Sequence, residues 1–166
     1  MKKVFKIIGW LLLITLIVIQ VFRPSKNIQV GVAANHISTR FAIPDDVKPI
    51  LDKACYDCHS NTSIYPWYYN IQPIGMWMNN HVQEGKREIN FSEFTDKSLR
   101  FQYHKMEECI KQVKEDEMPI NSYTWTHKEA ILSKAEKNKF LDWAQSVMDT
   151  LKAHYPVDSL IRKKSS

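Results

Sequence analysis

The apolar positions of the chain fall into one unbroken run and several periodic stripes. The run comes first. Ile7 to Phe22 carries no formal charge and follows Lys2, Lys3 and Lys6. A bilayer core takes about 20 residues of helix, and counting from Val4, with Lys6 reaching back to the interface, brings the run near that length. Residues 1–22 are therefore expected to form an N-terminal transmembrane helix, an uncleaved signal anchor. The competing reading is a cleaved signal peptide, whose apolar core runs about 7–15 residues before a small-x-small site. The nearest such site, Val32-Ala33-Ala34, lies well beyond the run, and Arg23-Pro24 follows it directly, so the anchor is favoured. On either reading the body of the chain is exported. Residues 23–43 have no period, are punctuated by Pro24 and Gly31, and read as a tether.

From Pro44 onward the apolar residues recur at helical spacing. Val47, Ile50, Leu51, Ala54 and Cys58 share one face, with Asp45 as N-cap and Pro49 tolerated in the first turn. Residues 60–72 hold Tyr65, Pro66, Trp67, Tyr68 and Tyr69 and cannot form a regular helix; a loop is expected. The stretch Pro73–Gly85 predicts a second helix, proline at its start and glycine at its end, with Ile74, Trp77, Met78, His81 and Val82 on one face. A third is predicted over Asp96–Glu117, striped by Leu99, Tyr103, Met106, Ile110 and Val113, with Cys109 beside the stripe. The last opens on Ser133-Lys134-Ala135-Glu136, which has the form of a capping box. Phe140, Trp143, Ala144, Val147 and Leu151 carry it to about His154. No strand pattern appears. The expected fold is all-α: a bundle of about four helices over residues 44–155, followed by a loose basic tail, 156–166.

Composition narrows the function more than the fold. Apolar content of 44% and charged content of 25% suit a globular protein. The net charge of +5 sits largely at the two ends, in Lys2, Lys3, Lys6, Arg162, Lys163 and Lys164, so no nucleic-acid partner is expected. The cysteines are Cys55, Cys58 and Cys109, which make no disulfide framework.

Two of them begin the candidate chemistry. Cys55-Tyr56-Asp57-Cys58-His59 is a C-x-x-C-H pentapeptide, the attachment signature of a c-type haem. Residues three apart lie on one face of a helical turn, so both thiols reach the two vinyl groups along one porphyrin edge. His59 then points its imidazole at the iron as proximal ligand. One covalently attached haem c, held by Cys55 and Cys58, is expected. For the distal position Met118 is preferred: it follows a helix end, precedes Pro119, and offers a thioether that suits low-spin iron and raises the potential. His81, on the apolar face of the second helix, is the alternative ligand or a haem contact. Trp67 and Tyr68, in the loop after the proximal histidine, are expected to touch the ring or its propionates. A zinc site would need one further ligand, for which no second paired motif exists. A thioredoxin-like pair would need a βαβ context, which is missing. Cys109 reads as a small buried apolar residue.

The run Cys-Tyr-Asp-Cys-His-Ser-Asn-Thr-Ser-Ile-Tyr-Pro-Trp-Tyr, residues 55–68, resembles the haem-binding domain family of small c-type cytochromes found in Bacteroidetes-type bacteria. The likeness continues through Ile74, Trp77, His81 to Arg87, Asn90-Phe91-Ser92, Met118-Pro119, Tyr123, His127 and Trp143, over about residues 43–145. Where the family often shows Gly-Arg after the second helix, this chain reads Gly85-Lys86-Arg87. The resemblance implies a cytochrome-c-like, membrane-anchored domain facing the periplasm, with haem c on Cys55 and Cys58 and His59 as axial ligand. The expected function is one-electron transfer at the inner membrane, to an unidentified redox partner protein. No acid/base or nucleophile constellation marks an enzyme. A gas or redox sensor with a displaceable sixth ligand is the first alternative, and a peroxidase-type enzyme the second.

Overall fold

The computed structural model describes residues 1–161, and all regular structure among them is helical. The elements are α1 (Lys2–Ile19), α2 (Lys48–Ala54), α3 (Tyr56–His59), α4 (Ile74–Glu88), α5 (Leu99–Lys114), α6 (Asn121–Thr124), α7 (Lys134–His154) and α8 (Val157–Leu160). Short 3-10 turns at Ile37–Thr39, Trp67–Asn70, Phe91–Asp96 and Lys128–Ala130 join them.

The centre of the molecule is the pair α5 and α7. Tyr103, Met106 and Val113 of α5 meet Phe140, Trp143, Ala144, Val147 and Leu151 of α7, and all are buried. Ile50 and Leu51 of α2, with Phe91 and Phe94, complete the same core. Each large side chain withdrawn from water contributes about 1.5–3 kcal/mol, so this cluster fixes the scaffold on which the cysteine motif rests. The capping box of α7 forms as its sequence indicates. Glu136 N–H donates to Ser133 Oγ at 3.3 Å and Ser133 N–H donates to Glu136 Oε2 at 2.9 Å.

Several expectations are corrected. The expected membrane-spanning helix over residues 1–22 is α1, of 18 residues, with all three lysines in its first turns. Its uncharged length from Ile7 to Ile19 is about 20 Å, against about 30 Å of hydrocarbon. No helix among the described residues is long and apolar enough to cross a membrane. Its apolar side chains are instead exposed, with none buried against the body.

Residues 23–43 do not hang as a tether. Ile37 is wholly buried and Phe41 is 4% exposed, and Trp143 Nε1 donates to the Ala42 carbonyl at 3.0 Å. Asn27 is the hub of the segment. Its Nδ2 donates to Ser60 O and Ser63 Oγ, its Oδ1 accepts from Lys86 Nζ, and its backbone N–H donates to the Tyr65 hydroxyl.

The helix bounds also move. The first begins at Lys48, after a turn closed on the Pro44 carbonyl, and Asp45 does not cap it. The predicted second helix continues past Gly85 to Glu88. The third starts at Leu99, where Phe101 N–H donates to Ser98 Oγ. After Pro156 the chain folds back as α8 with Leu160 buried; the remainder of the expected loose tail, 162–166, lies outside the described residues.

Candidate functional site

The helix carrying the motif breaks where the chemistry begins. Cys55 ends α2 with φ −127° and ψ −49°, and α3 restarts at Tyr56 in a new direction. Cys58 and His59 N–H both return to the Cys55 carbonyl, at 3.2 and 2.9 Å. Polar residues on either side hold this turn. Asp57 Oδ1 accepts from Ile64 N–H at 2.8 Å, and its Oδ2 accepts from the Tyr123 hydroxyl at 2.8 Å. Asn61, two residues after His59, donates its backbone N–H to Ser92 Oγ and accepts on Oδ1 from Asn90.

His59 is held by its rear nitrogen. Nδ1 lies 2.9 Å from the Gly85 carbonyl and 3.1 Å from that of Ile89, both acceptors, so Nδ1 carries the proton. Nε2 is left with its lone pair, the tautomer a metal-binding histidine takes when a carbonyl orients it. Burial holds the His59 imidazole below its ordinary pKa, so it is neutral near pH 7.

This carbonyl contact needs Gly85. A Cβ there would lie 2.7 Å from the Cys58 carbonyl oxygen and 3.1 Å from Cys58 Cβ. The glycine read as a helix stop is therefore the point where the last turn of α4 passes against α3.

Three adjoining cavities run across the motif. The first, about 360 Å³, is lined by Cys55, His59, Cys109, Met118 and the apolar Ile89, Phe91, Leu132 and Phe140. The second, about 160 Å³, brings together Cys55, Cys58, His59, His81 and Met118, all five of the expected attachment and axial residues. The third, about 480 Å³, lies on the far side of Cys58 and His81. Tyr68 lines it, whereas Trp67 is 76% exposed and lines none of the three.

Met118 reaches the site through the way α5 ends. Asp116 sits at φ 62°, a left-handed conformation that Asp tolerates, and Glu117 and Met118 N–H both turn back to the Gln112 carbonyl. The acidic break in the sequence thus returns the chain over the cavity.

Burial pushes the thiols up: Cys58 to about 11, with the Asp57 charge adding to it, and Cys109 to about 12. At the rim, Lys105 Nζ sits between Glu88 (2.8 Å) and Glu108 (2.6 Å).

The arrangement fits a covalently held haem on its own chemistry. Paired thiols and a preset imidazole face one cavity, apolar walls flank it, and one orphaned polar atom, His81 Nε2, is buried there without a partner. Sequence reasoning missed Asp57 and Asn27 as positioning groups, and neither has a periodicity that would signal the role. Tyr123, found only through the resemblance, stacks face to face with His127, centroids 4.3 Å apart.

Comparisons with known proteins agree in kind. A family model described as a haem-binding domain matches residues 14–146. No curated protein sequence and no solved structure matches the chain significantly.

Proposed function

From the chain's membership of the haem-binding domain family, shown by a match over most of its length, we propose that it is a mono-haem c-type cytochrome that passes single electrons and has no enzymatic activity of its own. The observation that supports this best is the commitment of His59 Nδ1 to two carbonyls, which leaves Nε2 unprotonated on a residue that lines one cavity with both thiols and Met118.

When bound, the haem iron supplies a one-electron couple. The chain's residues do the rest. Cys55 and Cys58 would form the thioether links, and His59 and Met118 would hold the iron. The Met118 thioether and the apolar walls would favour the reduced state and so raise the potential. The domain works on the periplasmic side of the inner membrane, where the exposed apolar side chains of α1 engage lipid, and it exchanges electrons with a partner protein. A sensor with a displaceable sixth ligand is the competing use of the same site.

The test is protein made in cells able to mature c-type cytochromes. Intact mass should show one added haem, lost in Cys55→Ala with Cys58→Ala, and the reduced spectrum should show low-spin c-type bands. Met118→Ala should abolish low-spin ligation while His81→Ala retains it. An unmodified polypeptide mass refutes the proposal. Rapid carbon monoxide binding to the reduced wild type favours the sensor.

A further inference from the structure

Only one end of α1 meets the rest of the chain. The helix is exposed along its length, and at its C-terminal end Ile19 and the capping residue Gln20 become half-buried. The join there is stiff. The Gln20 side chain donates from Nε2 to the Gln72 carbonyl and accepts on Oε1 from the Gln72 N–H, each at 2.9 Å. The Tyr69 hydroxyl donates to the Pro24 carbonyl at 3.3 Å. The Lys26 ammonium sits over the rings of Tyr65 and Tyr69, 5.6 and 5.8 Å from their centroids. For α1 to swing away from residues 65–72, all of these contacts must break.

The surface beside this join is apolar. Val21 and Phe22 continue past α1 and are 80% and 62% exposed. Trp67 and Ile71 are exposed in and just after the 3-10 turn that leads to Gln72, and Met76 is exposed in the first turn of α4. None of the five lines any of the three cavities, so they stand outside the haem site. Arg23 and Lys26, both exposed, lie next to them in the chain. Apolar surface gathered in one place marks an interaction site, whereas scattered apolar residues do not.

We propose that this face of the domain is a second lipid contact, seated on the headgroup region of a bilayer that contains anionic lipid. The proposal rests on the reading that α1 engages lipid. A helix apolar on every side has to be surrounded, which a bilayer does and a groove on a protein does not. Gln20 carries Gln72 with it to the lipid surface at any tilt of α1, because the two are bonded in both directions. The turn holding Trp67 and Ile71 therefore lies where hydrocarbon gives way to headgroups, the depth that indole rings favour. Arg23 and Lys26 are then placed to meet anionic headgroup oxygens, each adding about fivefold to the attraction. The seat has a consequence for electron transfer. Helix α4 begins in this face, and the carbonyl of its Gly85 accepts from His59 Nδ1, so seating the face sets the orientation of the haem site to the membrane.

The full chain carrying its haem is placed in phosphatidylcholine vesicles with and without phosphatidylglycerol, each doped with a lipid bearing a photoreactive headgroup, and labelled peptides are mapped by mass spectrometry. Labelling is expected in residues 64–76 as well as in α1, and about fivefold higher in 64–76 when phosphatidylglycerol is present. Residues 157–161, which include the exposed Val157 and Ile161 but pack on the side of α5 and α7, should stay unlabelled. Trp67→Ser with Ile71→Ser should lower labelling of 64–76 about tenfold while α1 labelling and the Soret band are unchanged. Gln20→Leu, which frees the join, should lower it too. Label in α1 but not in 64–76 overturns the proposal and leaves the lipid reading of α1 intact; no label in either refutes that reading and the seat with it. Equal labelling of 64–76 in the two kinds of vesicle, or of 157–161 and 64–76, also overturns it. A photoreactive phenylalanine analogue placed at position 67 in native membranes should yield a lipid adduct, and a protein adduct in its place overturns the proposal in favour of a protein partner.

Discussion

Replacing Gly85 by alanine tests the contact on which the site depends. In an ordinary helix interior this change adds about 1 kcal/mol of stability, because alanine has the better propensity. Here the new methyl would sit 2.7 Å from the Cys58 carbonyl oxygen, and a carbon wants about 3.3 Å from an oxygen. The obstacle is backbone, so α4 and α3 must part by roughly half an ångström. The His59 Nδ1 contacts, at 2.9 and 3.1 Å, then stretch to or beyond hydrogen-bond range. Overpacking costs about 1–3 kcal/mol and the lost hydrogen bond about 0.5–1.5 kcal/mol, against the gain of about 1. The net expectation is a loss of about 1–3 kcal/mol in urea unfolding of haem-bearing protein, together with a shifted Soret band and reduction potential as the imidazole tilts. A Gly85→Ala variant more stable than wild type, with an unchanged spectrum, would refute the reasoning.

Three further outcomes follow from the same geometry. Tyr123→Phe removes the hydroxyl that reaches Asp57 Oδ2 and should cost about 1 kcal/mol by urea unfolding, with the low-spin spectrum weakened because Tyr123 also holds the segment after Met118. Asn27→Ala removes three side-chain hydrogen bonds between residues 23–43 and the body; amide exchange in residues 24–30 and 60–65 should accelerate while the core of α5 and α7 is unaffected. Glu136 is held down to about 2, first by Lys53 and then by Ser133. Its folded value is below its unfolded one, so its contribution is fully present above about pH 4.5 and is lost as pH falls through about 2. Glu136→Gln should remove that acid dependence and cost about 1 kcal/mol at pH 7 by thermal unfolding; an unchanged acid transition would count against it.

How much of this was legible in the chain depended on how locally each feature is encoded. The capping box at Ser133 and the apolar stripe of α7 are each written within a few turns, and the structure reproduces them. Gly85 shows the limit. A glycine near the end of an amphipathic stretch reads as a stop, yet its purpose is a close approach to Cys58 across 27 positions, which no periodicity records. Asn27 and Leu160 fail to register for the same reason. A single polar hub, or one apolar residue in a polar tail, makes no stripe, and only the long-range partner gives it meaning. Trp67 and Tyr68 show another limit: they are neighbours in one aromatic loop, yet Tyr68 lines a cavity and Trp67 is exposed, and aromatic density alone does not choose which ring turns inward. The sequence thus marks the groups that react, while the groups that aim them are visible only after folding. The rear hydrogen bond of His59 is the clearest case. Its acceptors are backbone carbonyls, which every residue has, so no side chain in α4 announces them; Gly85 matters through the atom it lacks.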